Sequence, residues 1–264
     1  MKQTPLGRAF RWIGGHVRGF YAAVGLFLLA GLVSTLVTFG LLLVLADLVA
    51  GGAIQSADKA IVQAVGDLKS PRLDALALVG AVIGSRMAAW CAIVVGTLFL
   101  WTTRHRYSAA LLWVAIGGSV FLNAFLKEWF GRPRPAPERA NIELLGWTFG
   151  YPDSFSFPSG HALLTTSIFF TLAYLVARLE GSRRMRRFTL ALAFLMVTLV
   201  GLSRVYLGVH YLSDVVAGIL AGLMWSTAAA LGLEAAWYFR FRKPDVERVE
   251  ENIEEPVPAP LTHQ

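Results

Sequence analysis

AAVGLFLLAGLVSTLVTFGLLLVLAD, residues 22–47, carries a single charge, and that at its last position. Coiled as a helix, a run of this length exceeds the ~20 residues needed to cross a ~30 Å hydrocarbon layer. Five further stretches of similar character follow, at roughly 73–102, 108–127, 161–178, 188–207 and 212–238. With 56% hydrophobic and 16% charged residues, the 264-residue chain is too apolar for a soluble domain of its size. The reading is an all-α fold: a bundle of six transmembrane helices with a short extracytoplasmic helical region and an interfacial N-terminal helix. The organisation that follows is an interfacial segment 1–21, a membrane domain 22–238 and a tail 239–264. No internal repeat stands out.

The second stretch is interrupted. Arg86, after Gly84 and Ser85, would be costly at the bilayer centre, so 71–84 is expected to lie at the surface or enter shallowly, with the span proper beginning near Arg86. Ser70 and Pro71 fit the cap and first turn of that preceding helix. The first span is expected to stay as an anchor, because its apolar run exceeds the ~7–15 residues of a signal core and no small-residue cleavage site follows. Ahead of it, Leu6, Phe10, Ile13 and Val17 repeat at helical spacing with Arg8, Arg11 and Arg18 elsewhere around the wheel, the pattern of a helix lying on an anionic leaflet.

Charge sets the direction. The net charge of +7 could suggest nucleic acid, but the basic residues form short clusters between apolar runs and no continuous stripe, so no nucleic-acid partner is expected. Alternating across six spans, fifteen of the 24 Lys and Arg fall with the two termini, among them Arg183, Arg184, Arg186 and Arg187. Both termini are therefore expected in the cytoplasm and the intervening loops outside. The stretch from Pro244 to Gln264 is rich in Glu and Pro, lacks apolar periodicity, and reads as a disordered cytoplasmic tail. Cys91 is the only cysteine, which excludes an intrachain disulfide or a multi-cysteine metal site.

Three clusters fall at the outward ends of these spans. In KEWFGRPRP, Lys127 to Pro135, the glycine and two prolines end the third helix. Arg134, held extended before Pro135, can turn its guanidinium back toward Lys127, so that two cations meet one anion; taken alone, such a pair also reads as an interface anchor. In Pro158, Ser159, Gly160 and His161 a helix start leaves free N–H groups and a positive dipole end, an arrangement that binds anions, with Ser159 as hydroxyl donor and Gly160 allowing close approach. Helix start and bound phosphate pull the protonation of His161 in opposite directions. In SRVYLGVHYLSD, Ser203 to Asp214, Arg204 closes the fifth span and Gly208 turns the chain. If 210–214 is helical, Asp214 shares a face with His210, fixes its tautomer and leaves the other ring nitrogen a lone pair.

The order and internal spacing of these clusters resemble the type-2 phosphatidic acid phosphatases, or lipid phosphate phosphatases, and no position of the three-motif signature departs from the pattern. The segment 57–85, with ADKAIV, LKSPRLDAL and IGS, is also similar to bacterial members. The resemblance implies hydrolysis of a lipid phosphate in the bacterial plasma membrane. His210 would attack phosphorus to give a phosphohistidine, His161 would protonate the leaving group and then activate water, and Asp214 would orient His210. Lys127, Arg134, Ser159, Gly160 and Arg204 would hold the phosphoryl oxygens. It implies no cofactor and no metal; Glu128, Glu138, Glu143 and Asp153 form no recognisable ligand pattern. Trp129, Phe130, Trp147, Phe149, Tyr151, Phe155 and Phe157 suit headgroup depth, either as lipid contacts or as a plain interfacial belt. Candidate substrates are undecaprenyl diphosphate, placed first, then phosphatidylglycerol phosphate, phosphatidic acid and lipid A phosphates. Vanadate-dependent haloperoxidases share the motifs, and a lipid-phosphate binder or transporter on the same scaffold is the non-enzymatic rival.

Overall fold

The computed structural model describes residues 20–68, 70–135, 142–144, 147–149, 153–179 and 182–241. The expectations for the N-terminal segment and the C-terminal tail lie outside the described residues, apart from helix ends at 20–21 and 239–241. Eight helices are described: α1 Phe20–Ala50, α2 Gln55–Gly66, α3 Pro71–Ile83, α4 Arg86–Thr102, α5 Arg106–Phe130, α6 Gly160–Leu179, α7 Arg183–Tyr206 and α8 Leu212–Phe241. Five of them (α1, α5, α6, α7 and α8) contain a run long and apolar enough to cross a bilayer, and α3 with α4 makes a sixth if the pair is counted as one broken span. On α1 and α4, Leu29, Leu36, Val44, Val95, Leu98 and Phe99 are each more than half exposed, as a lipid-facing surface requires. The all-α bundle is as read from the sequence. One addition is a short antiparallel ribbon, β1 Ile142–Leu144 with β2 Trp147–Phe149, that pairs Glu143 with Thr148.

The break in the second stretch falls where Gly84 and Ser85 stand. Ser70 caps α3 by accepting from the Leu73 N–H at 3.3 Å, with Pro71 in the first turn, and Ser85 caps α4 by accepting from the Ala88 N–H at 3.2 Å. The two helices meet at 50°. Two independent caps in place of a continuous ladder explain the bend without invoking softness.

α6 sits at the centre, between α7 and α8, while α1 packs on α8 and α3 on α7. The α6–α8 contact is close because Gly218 and Gly222 bring the α8 backbone onto α6. A Cβ at Gly218 would stand 2.5 Å from the Ser159 carbonyl oxygen, and one at Gly222 would stand 2.7 Å from the Thr166 Cβ. Small residues four apart are the usual route to such contact between membrane helices. At the far end from Ser159, Glu234 of α8 accepts from the Tyr174 hydroxyl at 2.5 Å and pairs with Arg178 at 3.0 Å, which locks the same two helices by charge. In α5 a wide turn at Trp113–Gly117 interrupts the regular ladder, and the Val114 carbonyl accepts from the Trp225 indole at 3.0 Å.

Candidate active site

The loops that join these helices bring the three sequence clusters to one place. A cavity of about 570 Å³ is lined by Lys127 and Glu128 of α5, Arg134, Gly160 and His161 at the start of α6, Arg204 near the end of α7, and Val209 and His210 in the following turn. Gly131, at φ +57°, ends α5 just past Lys127, so the lysine faces the cavity while the chain turns away toward Arg134. Lys127 is buried and donates from its ammonium to the Phe155 carbonyl. Arg204 is 6% exposed, and its Nη2 has no partner among the described residues. Arg204 lines the cavity, and a buried guanidinium nitrogen without an acceptor is a donor that a bound anion would satisfy.

Arg134 bridges more than its motif implied. Its Nη1 donates to the Val209 carbonyl at 2.7 Å and lies 3.1 Å from His210 Nε2, while Nε donates to the Ser154 carbonyl at 2.6 Å. A guanidinium can only donate, so His210 Nε2 accepts there and the proton of a neutral ring sits on Nδ1. That nitrogen lies 3.5 Å from Asp214 Oδ2, a contact at the limit of a hydrogen bond. Burial draws the His210 pKa down to about 4; the hydrogen bond with Asp214 opposes the shift, and the charges of Arg134 and Lys127 add to it. The imidazole is therefore neutral at physiological pH, with its lone pair on the cavity side.

The His210–Asp214 pair differs in one respect from the helical pairing expected from spacing. α8 begins at Leu212, so His210 stands in the turn before the helix. The reason is the carboxylate itself: Asp214, at the third helical position, reaches back to accept from the Tyr211 N–H at 2.9 Å, the side-chain half of a capping box, and so fixes the helix start.

Arg132, not chosen as a site residue from the sequence, organises the back of the site. At 7% exposure it donates to Asp214 Oδ1 at 2.6 Å, Ser213 Oγ at 2.8 Å, Asp58 Oδ2 at 2.8 Å and Gln55 Oε1 at 2.7 Å, and its guanidinium lies 4.3 Å from the centre of the Tyr211 ring. Asp58, also buried, accepts from the Ser213 N–H at 3.1 Å and from the Ser213 hydroxyl. A carboxylate of α2 thus caps α8 at the position where free N–H groups concentrate positive potential. Ser159 and Asp214 sit behind the cavity wall: both are fully buried, the Ser159 N–H donates to the Asp214 carbonyl at 2.9 Å, and the Ser159 hydroxyl has no partner among the described residues.

A family model described as the PAP2 superfamily matches residues 108–238, which contain all three clusters. Phosphatidylglycerophosphatase B of Bacillus subtilis (strain 168) is 32% identical over 185 residues, 69% of this chain and 86% of that protein. The chain belongs to the PAP2 superfamily. A crystal structure of a transmembrane PAP2-type phosphatidylglycerolphosphate phosphatase from Bacillus subtilis superposes with a TM-score of 0.69 at 30% identity, covering 79% of this chain and 99% of that one. Decaprenylphosphoryl-5-phosphoribose phosphatase of Mycolicibacterium smegmatis (strain ATCC 700084 / mc(2)155) is 30% identical over 139 residues, 51% of this chain and 65% of that protein. Its named relatives are phosphatases, which makes the chain a member of an enzyme family, and its apolar helices with the likeness to a transmembrane PAP2-type structure make it a multi-pass membrane protein.

Within this PAP2 site the helix break has a purpose that composition alone did not disclose. A Cβ on Gly84 would stand 2.6 Å from Val200 Cγ1 and 3.1 Å from both Cβ and Cδ2 of His161, so the glycine is where the histidine ring packs. Gly84→Ala is expected to displace His161 and lower kcat by about 100-fold, the scale of a misplaced reacting group. Gly232→Ala, where nothing lies within 4 Å of the added carbon, should leave activity unchanged. Steady-state rates of the two purified variants, with thermal midpoints to show that both fold, check this.

Proposed function

We propose that this chain is a lipid phosphate phosphatase that works through a phosphohistidine, with phosphatidylglycerol phosphate as the first substrate to test and polyprenyl diphosphate as the second. The observation that carries the reading is the single cavity holding His210 and His161 with Lys127, Arg134 and Arg204. The His210 Nε2 lone pair attacks phosphorus, the bond to the leaving oxygen breaks, and His161, which takes up a proton from solvent as the phosphate dianion seats beside it, gives that proton to the leaving oxygen. His161, now neutral, takes a proton from water, and the hydroxide cleaves the phosphorus–nitrogen bond to release phosphate and free His210. Arg134, whose Nη1 lies 3.1 Å from Nε2, transfers that donor to a phosphoryl oxygen when substrate is seated.

Lys127 and Arg204 meet the remaining oxygens and stabilise the charge that accumulates in flight. The Ser159 hydroxyl is fully buried and Ser159 is not among the cavity-lining residues, so its share is the smallest of the set. Asp214 keeps the Nδ1 proton in place. No cofactor enters these steps. The site faces the outside of the plasma membrane, with both termini in the cytoplasm, as the Lys and Arg asymmetry supports.

Purified protein in detergent should release phosphate from phosphatidylglycerol phosphate with EDTA present and no metal added. Release from none of phosphatidylglycerol phosphate, polyprenyl diphosphate, phosphatidic acid and lipid A phosphate would overturn the reading. Of the two preferred substrates, the phospholipid stands first because relatives matched over 69% and 79% of this chain carry its name.

A further inference from the structure

The catalytic cavity is much larger than a phosphoryl group: about 570 Å³, within the ~300–1,000 Å³ typical of pockets that take a whole small ligand. Its wall continues past the motif residues to Ser85, Arg86 and Met87 at the start of α4 and to Asn123 and Ala124 of α5. Arg86 is exposed there and has no ion-pair partner among the described residues. Gly84 places this wall. Two residues before Arg86, it packs on the ring of His161, the group assigned above to protonate the leaving oxygen. Arg86 therefore lines the cavity from the wall that Gly84 lays against His161, and Arg134 contacts His210.

The charges in the cavity are informative. Lys127, Arg134 and Arg204, which line the same cavity, already provide three cations for the dianion being transferred. A lipid with one phosphate gives Arg86 nothing to bind, because its leaving group is a neutral diacylglycerol. Glu128 lines the same cavity and would repel a second anion if no cation accompanied it.

We propose that Arg86 forms a second anion subsite that binds the phosphate remaining on the leaving lipid, so that the enzyme selects lipids with two phosphates over lipids with one. The proposal rests on the phosphatase reading and adds the class of substrate to it. Its chemistry is shared by two sources: the inner phosphate of a polyprenyl diphosphate and the diester phosphate of phosphatidylglycerol phosphate.

The test measures kcat/KM of wild type, Arg86→Ala and Arg86→Lys on phosphatidylglycerol phosphate, polyprenyl diphosphate and phosphatidic acid in one detergent. Arg86→Ala should lose about 10- to 100-fold on a two-phosphate lipid, as expected for a lost charge-assisted hydrogen bond, mainly through KM. It should lose less than about threefold on phosphatidic acid, and Arg86→Lys should recover most of the loss, because a point charge is enough to bind a phosphate. A loss confined to one of the two-phosphate lipids supports the subsite and says which lipid occupies it. An equal loss on phosphatidic acid, no loss on either two-phosphate lipid, or a wild type that turns over phosphatidic acid alone overturns the subsite and leaves the phosphatase standing. A wild type inactive on every lipid overturns the phosphatase reading first.

Discussion

His210→Ala is expected to release phosphate from its lipid substrate at least about 10⁴-fold more slowly than wild type, the scale seen when a nucleophile is removed from a covalent mechanism. The side chain is 3% exposed, so its loss leaves a cavity, and the thermal midpoint of the variant is measured alongside to show that it folds. The decisive measurement is trapping. With lipid labelled in the scissile phosphate and an alkaline quench, wild type should retain label on the protein, because a phosphohistidine survives base, and His210→Ala should retain none. His161→Ala should also slow turnover but keep a labelled protein if a good leaving group is supplied, since attack by His210 then needs no proton donor. Full activity in His210→Ala would end the mechanism. The pH profile adds a check. His210 must be unprotonated to attack, and burial holds its pKa near 4 in the free enzyme. Its protonated fraction therefore grows only as pH falls toward that value, and the acidic limb of kcat/KM that belongs to His210 should lie below the ordinary histidine range.

Much of the site was legible because its chemistry is written in residues adjacent in sequence. Lys127, Arg134, Gly160, His161, Arg204 and His210 line one cavity. What sequence periodicity could not disclose is which polar group meets which across helices. Arg132 and Arg134 are both arginines before prolines, and nothing in GRPRP says that one enters the cavity and the other turns behind it. Asp58 sits in the amphipathic helix α2, where a solvated carboxylate is the ordinary expectation, yet it is 4% exposed and caps α8. Glu234 lay unremarked within an apolar span, and only the packing of α6 on α8 shows that it meets Tyr174 and Arg178. Span existence was clear from apolar length, and the break before Arg86 from the cost of a buried charge. That the break also seats His161 depends on a contact between residues 77 positions apart, which no local pattern encodes.

Arg132→Ala should be the most damaging substitution away from the cavity. Its guanidinium satisfies Asp214, Asp58, Ser213 and Gln55 together, and it is the only ion-pair partner of Asp58 among the described residues. Removing one partner of a buried pair leaves the other charge uncompensated, at a cost of about 3–5 kcal/mol. Here two carboxylates are left, and one of them sets the start of α8 and the tautomer of His210. The expected outcome is a large fall in thermal midpoint together with a kcat at least about 100-fold below wild type. Arg132→Lys should fold better but still lose activity, because an ammonium has three donors and no planar fork to bridge acceptors on α2 and α8 at once. The attribution is checked by a double variant. Asp58→Asn removes one of the stranded charges, so in the Arg132→Ala background it should restore part of the thermal midpoint, while in wild type it should be destabilising. Recovered stability without recovered kcat would separate the two duties of Arg132, since Asp214 remains unclamped in both backgrounds. An Arg132→Ala protein with wild-type melting and wild-type kcat would mean that the bridge from α2 to Asp214 holds nothing.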